Sequence, residues 1–231
     1  MAKEGNTYIS RLLFVVWLSF SLASDTSPYC YVKTSPAILN ETVELFCKVD
    51  GQLNESTTRK WERGVFVITS NDKSNDSSKY KERKTDDGFA LQIIKLQASD
   101  LNKEYTCVYG FKRCHFNLTI NLGNFEVHPV NKTVTTTWNE AAGKLEVQIK
   151  FPLVYPKPRC KVIYNEKYSA KSKSIKTRSH HVGEFYSTNV TVEENIGSVC
   201  IKKLKITCTV GSKDFVIKDY TSPTKNCKNV G

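Results

Sequence analysis

Val43-Glu44-Leu45-Phe46-Cys47 and, sixty residues beyond its cysteine, Tyr105-Thr106-Cys107 are the stretches on which the reading of this chain turns. The first alternates apolar with polar or opposite-facing positions; Trp61 follows Cys47 by fourteen residues, and Leu91-Gln92-Ile93-Ile94-Lys95-Leu96 leads into the second. Successive side chains of an extended strand point to opposite faces, so such runs predict strands with one face buried.

The second half repeats the strand pattern. Leu145, Val147 and Ile149 alternate with polar neighbours, as do Leu204, Ile206, Cys208 and Val210; Cys160 to Tyr164 and Phe215-Val216-Ile217 are shorter candidates. Turn residues separate these runs and no helical period persists for ten residues, which predicts a β-sandwich.

Residues 1–23 read as a cleaved signal peptide. Lys3 and Arg11 precede the apolar-biased run Leu12 to Ala23, and small residues at Ser21, Ala23 and Ser24 suit a cleavage site. Twelve residues are too few for a bilayer, which needs about twenty; the competing reading is an N-terminal anchor. The last residues, Asn226 to Gly231, carry no hydrophobic lipid-anchor signal. The expected product is a secreted, soluble protein with no transmembrane anchor.

All eight cysteines lie beyond that leader. An even number in an extracellular chain reads as a disulfide framework, for which eight cysteines allow 105 connectivities. Zinc is the rival use of thiols, but no Cys-x-x-Cys pair occurs. Sequons at Asn40, Asn54, Asn75, Asn117, Asn131 and Asn189 predict a glycoprotein.

Charge is divided unevenly. Residues 24 to 124 hold 14 basic and 13 acidic side chains, whereas residues 125 to 231 hold 18 and 9, within a chain whose net charge is +11. Lys157, Arg159, Lys161, Lys167, Lys171, Lys173, Lys176 and Arg178 face only Glu166 in that stretch. Such a run is either a solvated loop or a site for a heparan-type polysaccharide. Few aromatic residues interleave with it, which argues against nucleic acid.

An enzyme is not expected. His115, His128, His180 and His181 sit in no metal motif, and neither a Gly-x-Ser-x-Gly elbow nor a glycine-rich phosphate loop occurs. No cofactor or metal is expected.

The order Cys47, Trp61, Leu91-x-Ile93-x-x-Leu96, Tyr105-x-Cys107 resembles the immunoglobulin superfamily, and residues 25–122 resemble its variable-type module. The resemblance implies an all-β protein of two tandem immunoglobulin-like sandwiches, the second a divergent basic domain over 125–231. It implies a Cys47–Cys107 bond between sheets, with Trp61 packed on it and Tyr105 pinning a corner. The first strand of such a domain runs beside the last, so Cys30 would reach Cys114. Asp100 lies five residues before Tyr105, where the family's Asp lies four before, which leaves its salt bridge open. In the second domain Cys160 and Cys208 occupy strand-like runs, leaving Cys200 with Cys227. That domain lacks the core Trp and has Ile206 in place of the corner Tyr. Cys160 either bonds Cys208 within one sheet or marks the usual first-cysteine strand in shifted register; Pro152, Pro156 and Pro158 favour the first.

A narrower resemblance is carried by Cys47-Lys48-Val49-Asp50, Lys60-Trp61 and Arg159-Cys160-Lys161-Val162-Ile163-Tyr164-Asn165, which look like the beaten-path group of insect neuronal recognition proteins. Those bind other immunoglobulin-type receptors. The resemblance therefore implies recognition of, or adhesion to, a cell-surface receptor; polyanion binding in the matrix and a secreted immune or decoy role are the alternatives. Such modules often bind through the sheet that holds the Trp strand. With Trp61 and Cys107 inward, Lys60, Glu62, Thr106 and Val108 point outward as candidate partner contacts, as do His115, Asn117 and Thr119. A glycan on Asn117 would stand on that face. Either the sequon is unused, or the partner docks nearer Lys60 and Gly64 to Ser70, or another surface binds.

Overall fold

The computed structural model describes residues 27–120, 125–164, 167–168, 175–195 and 203–221. The expected leader, Lys171, Lys173, Cys200 and Cys227 lie outside these residues. The chain is all-β, in two stacked pairs of sheets.

The first sandwich begins with β1 (Tyr29–Val32), β2 (Ala37–Ile38), β3 (Val43–Lys48), β4 (Arg59–Arg63) and β5 (Phe66–Ser70). It continues with β6 (Lys73–Ser74), β7 (Tyr80–Thr85), β8 (Gly88–Ile93), β9 (Lys103–Tyr109) and β10 (Lys112–Leu118). One sheet has the order β1-β3-β8-β7 and the other β10-β9-β4-β5-β6. Strands β5 and β6 extend the second sheet beyond β4. Trp61, Phe89, Leu91, Tyr105 and Cys107 are fully buried between the sheets. The bonds Cys47–Cys107 and Cys30–Cys114 both tie one sheet to the other.

Two local features complete this core. The Tyr105 hydroxyl donates to the Asp100 carbonyl at 3.3 Å, forming the corner the sequence suggests. A 3-10 turn over Ala98–Asp100 takes up the extra residue of spacing, so the Asp100 carboxylate still pairs with Arg63 at 3.4 Å and with Lys79. Phe46 faces away from the core yet is 2 % exposed. Tyr31 and the Lys33 ammonium cover its ring, and Gly88 makes room, since a Cβ there would lie 2.9 Å from the ring and 2.1 Å from the Cys47 carbonyl.

After β11 (Phe125–Glu126) the second sandwich comprises β12 (Thr135–Ala141), β13 (Lys144–Val154), β14 (Arg159–Tyr164) and β15 (Lys167–Tyr168). It ends with β16 (Ile175–Val182), β17 (Phe185–Asn195), β18 (Lys203–Val210) and β19 (Lys213–Thr221). Its sheets run β12-β13-β17-β16 and β15-β14-β18-β19. Leu145, Val147, Ile149, Val190, Val192, Leu204, Ile206 and Cys208 are the alternating residues that meet in its core. Cys160 and Cys208 are register partners on the adjacent strands β14 and β18, and they are bonded, so this disulfide lies within one sheet.

The passage between sandwiches differs from the expected start of the second domain at 125. β11 pairs in parallel with β2, and Phe125 and Val127 are buried in the first core. Phe185, at the start of β17, is buried in the same first cluster, with Leu153 and Tyr155 packed against it. Val127 and Tyr155 exchange backbone hydrogen bonds of 2.8 and 3.1 Å. The two sandwiches therefore share apolar packing at their joint.

Candidate recognition surfaces

Strand alternation puts Lys60, Val108 and Arg113 in one row across the outer face of the first domain's five-stranded sheet, and Glu62, Thr106 and His115 in the next. The exposure differs from the sequence expectation. Thr106 and Val108 are only 2 % and 6 % exposed, while Lys60 and Glu62 are half-buried. Long neighbours close over the small central side chains. Arg113 Nη1 donates to Glu62 Oε2 at 2.9 Å, and Thr106 Oγ1 and His115 Nδ1 share a hydrogen bond of 3.1 Å. Lys60, Glu62, Thr106 and Val108 are thus a flush floor, with Arg113 and His115 as its exposed side chains.

The exposed apolar groups stand at the ends of this sheet. Val65 and Phe66, at the hairpin joining β4 to β5, are 89 % and 72 % exposed; Phe111, at the hairpin joining β9 to β10, is fully exposed. Each follows a glycine of positive φ, Gly64 or Gly110, which lets the chain reverse tightly and project what comes next. Val65 and Phe66 fall within the Gly64 to Ser70 stretch named from sequence, whereas Phe111 does not stand out there, because a lone aromatic beside a turn has no periodicity. The glycine-aromatic turn was the available signal.

A buried ionic network holds the loops at the Phe111 end. Arg59, 3 % exposed, donates through Nε to Glu82 and through Nη2 to Asp72, both at 3.2 Å. Thr69 Oγ1 donates to the second Glu82 oxygen at 3.0 Å. Burial pushes the Glu82 carboxyl above its ordinary range, against the bonds from Arg59 and Thr69. Lys84 links Asp72 to Glu55, so two loops and two strands share one set of charges.

Asn40, Asn54, Asn75, Asn117 and Asn189 are exposed; the side chain of Asn131 lies outside the described residues. Asn117 lies opposite Glu104 on β10, on the outer face as expected.

The described members of the basic stretch fall on two sheets. Arg159 and Lys161 are exposed on β14, whose neutral neighbour Val162 points into the core. Lys176 and Arg178 are exposed on β16, in the opposite sheet, where Lys176 pairs with Glu193 at 2.7 Å. Arg159 and Lys161 thus stand on one sheet and Lys176 and Arg178 on the other. Lys157 lies by the joint, and Lys167 falls in β15 with its side chain outside the described residues. Among the described residues no group of three or more His, Cys, Asp or Glu could hold a metal ion, and no helix is long and apolar enough to cross a membrane.

The sequence matches no protein-family model and no curated protein. Solved structures do match. Bovine butyrophilin superimposes with a TM-score of 0.53 at 13 % identity, covering 81 % of this chain and 94 % of that one. The fold is immunoglobulin-like. The full ectodomain of mouse nectin-like molecule 4, Ig1 to Ig3, superimposes with a TM-score of 0.55 at 12 % identity, covering 78 % of this chain. The match spans 64 % of that ectodomain's own length. At these identities the likeness concerns the fold.

Proposed function

We propose that the protein is an extracellular glycoprotein that recognises an immunoglobulin-type receptor on a cell surface through the five-stranded sheet of its first domain. Residues up to Val127 form the recognition module and the following basic sandwich carries it. The observation behind this reading is the pair of exposed aromatic tips, Phe66 and Phe111, at opposite ends of a flat polar sheet. A five-residue strand spans roughly 17 Å, so both tips fit beneath one ordinary interface of about 800 Å² per partner. Aromatic anchors with a polar surround are the usual source of affinity in such contacts. The likeness of Cys47-Lys48-Val49-Asp50 and Lys60-Trp61 to the beaten-path proteins favours an immunoglobulin-type partner. No step of chemistry is assigned to the surface; its groups bind.

The test is an array of cell-surface ectodomains probed with the multimerised protein, since single contacts of this kind are weak and gain from avidity. Both tips are exposed, so Phe66→Ser and Phe111→Ser leave the core intact. Each should lower binding to the partner found by about tenfold or more. Unchanged binding by the double variant would rule out this sheet as the contact.

A further inference from the structure

Beside the joint, where β13 leaves its sheet, Tyr155, Lys157, Arg159, Tyr186 and Thr209 line a groove of about 730 Å³, within the range of small-ligand sites. We infer that this groove binds an anionic sugar residue, sulfated or carboxylated, independently of the first domain's sheet. The rings of Tyr155 and Tyr186 are stacked within 7° of parallel with centroids 6.1 Å apart, and the His181 ring lies 4.6 Å from Tyr186, so together they form one aromatic wall. The Lys157 ammonium stands 4.7 Å over the Tyr186 ring. Arg159 is exposed and makes no ion pair among the described residues, so its planar fork of donors is available to an anion.

The electrostatics favour one sign of charge. No carboxylate lines the groove. Two stand behind it and both are engaged: Asp214 accepts from Thr209 Oγ1, and Glu126 accepts from Ser212 and His128. A pyranose offers C–H groups that pack against an aromatic wall, while its sulfate or carboxylate reaches Lys157 and Arg159. Two cations beside an aromatic wall select one charged ring; scattered surface lysines would attract any polyanion. The site draws together residues from either end of a thirty-residue interval, Tyr155 to Tyr186, by pairing β13 with β17.

Titrating the full chain with a heparin-derived tetrasaccharide, with α-sialyllactose and with neutral lactose, at about physiological salt, tests the inference. Saturable binding to at least one anionic sugar and none to lactose is expected. A response to the tetrasaccharide alone identifies sulfate, and a response to sialyllactose alone identifies carboxylate. The exposed pair Lys157→Ala/Arg159→Ala should weaken binding by about tenfold or more. Lys176→Ala/Arg178→Ala, on the opposite sheet, should leave it unchanged. The inference is overturned if neither anionic sugar saturates, if lactose binds as well, or if both double variants weaken binding alike. Loss of receptor binding through Phe66 and Phe111 variants leaves this result untouched, so the two readings fail separately.

Discussion

Glu126 concentrates much of the junction in one carboxylate. Both its oxygens accept from the Ser212 amide at 2.9 Å, one also from the Ser212 hydroxyl at 2.8 Å, and His128 Nε2 lies at 2.6 Å. Gly211 has φ of +58°, and a Cβ there would lie 2.2 Å from the Glu126 carboxyl carbon, so the turn admits the carboxylate only as glycine. Partial burial pushes the Glu126 carboxyl up, but the bonds from Ser212 and His128 outweigh it and hold the group below its ordinary value of 4.5. A carboxylate depressed in the folded state stabilises above its unfolded value, and this stability is lost as pH falls through the lower folded value. Glu126→Gln should therefore cost about 2 kcal/mol near neutral pH and progressively less as the solution is acidified below about pH 4. Denaturant unfolding of both proteins across that range checks it; a gap that does not narrow in acid would assign the loss to packing. At this scale the sequence was partly legible. The Tyr105 corner could be read, whereas the Asp100 pairs could not: the extra residue before Tyr105 shows in the spacing, but the 3-10 turn that re-aims the carboxylate does not.

Strands were the most legible elements, since alternation is imposed by burial of one face. The runs around Cys47, Cys107, Leu145 and Cys208 all became strands with the expected residues inward. Which strands lie together was less legible. Cys160 meets Cys208 because β14 is the neighbour of β18, and the basic stretch divides because β16 joins β17 in the other sheet. Strand β10 poses the clearest question for binding. Asn117 is exposed on the same face as His115 and Arg113, and its Thr119 is half-buried. A solvated glycan there would cover the edge of the proposed contact. If the sequon is occupied, Asn117→Gln should raise receptor affinity several-fold, about 1 kcal/mol, with the gain appearing chiefly in dissociation. Glycopeptide mass spectrometry with binding kinetics reads both; full occupancy with no change on removing the sugar would place the contact toward Phe66 and away from β10.

For the whole molecule the joint decides the geometry. Phe185 belongs by sequence to the second sandwich but is buried in the first core, while Asn102 Nδ2 donates across the joint to Glu184 at 3.3 Å. Shared apolar packing couples the stabilities of two domains. Phe185→Ala should cost about 3 kcal/mol by leaving a cavity, and should separate one thermal transition into two. Calorimetry detects the separation, and a single transition of unchanged width would mean that the coupling runs through Glu126. Residue order carries the all-β class and the two sandwiches, because periodic burial is written locally along the chain; the cysteine pairs of the first sandwich were implied only by its resemblance to the immunoglobulin superfamily. Tertiary structure alone decided that Thr106 and Val108 are covered, that the lysines stand on opposite sheets, and that Tyr155, Lys157 and Tyr186 share a groove. Those outcomes depend on which strand lies beside which and how long side chains fold over short ones, and neither is fixed by the order of residues within a strand.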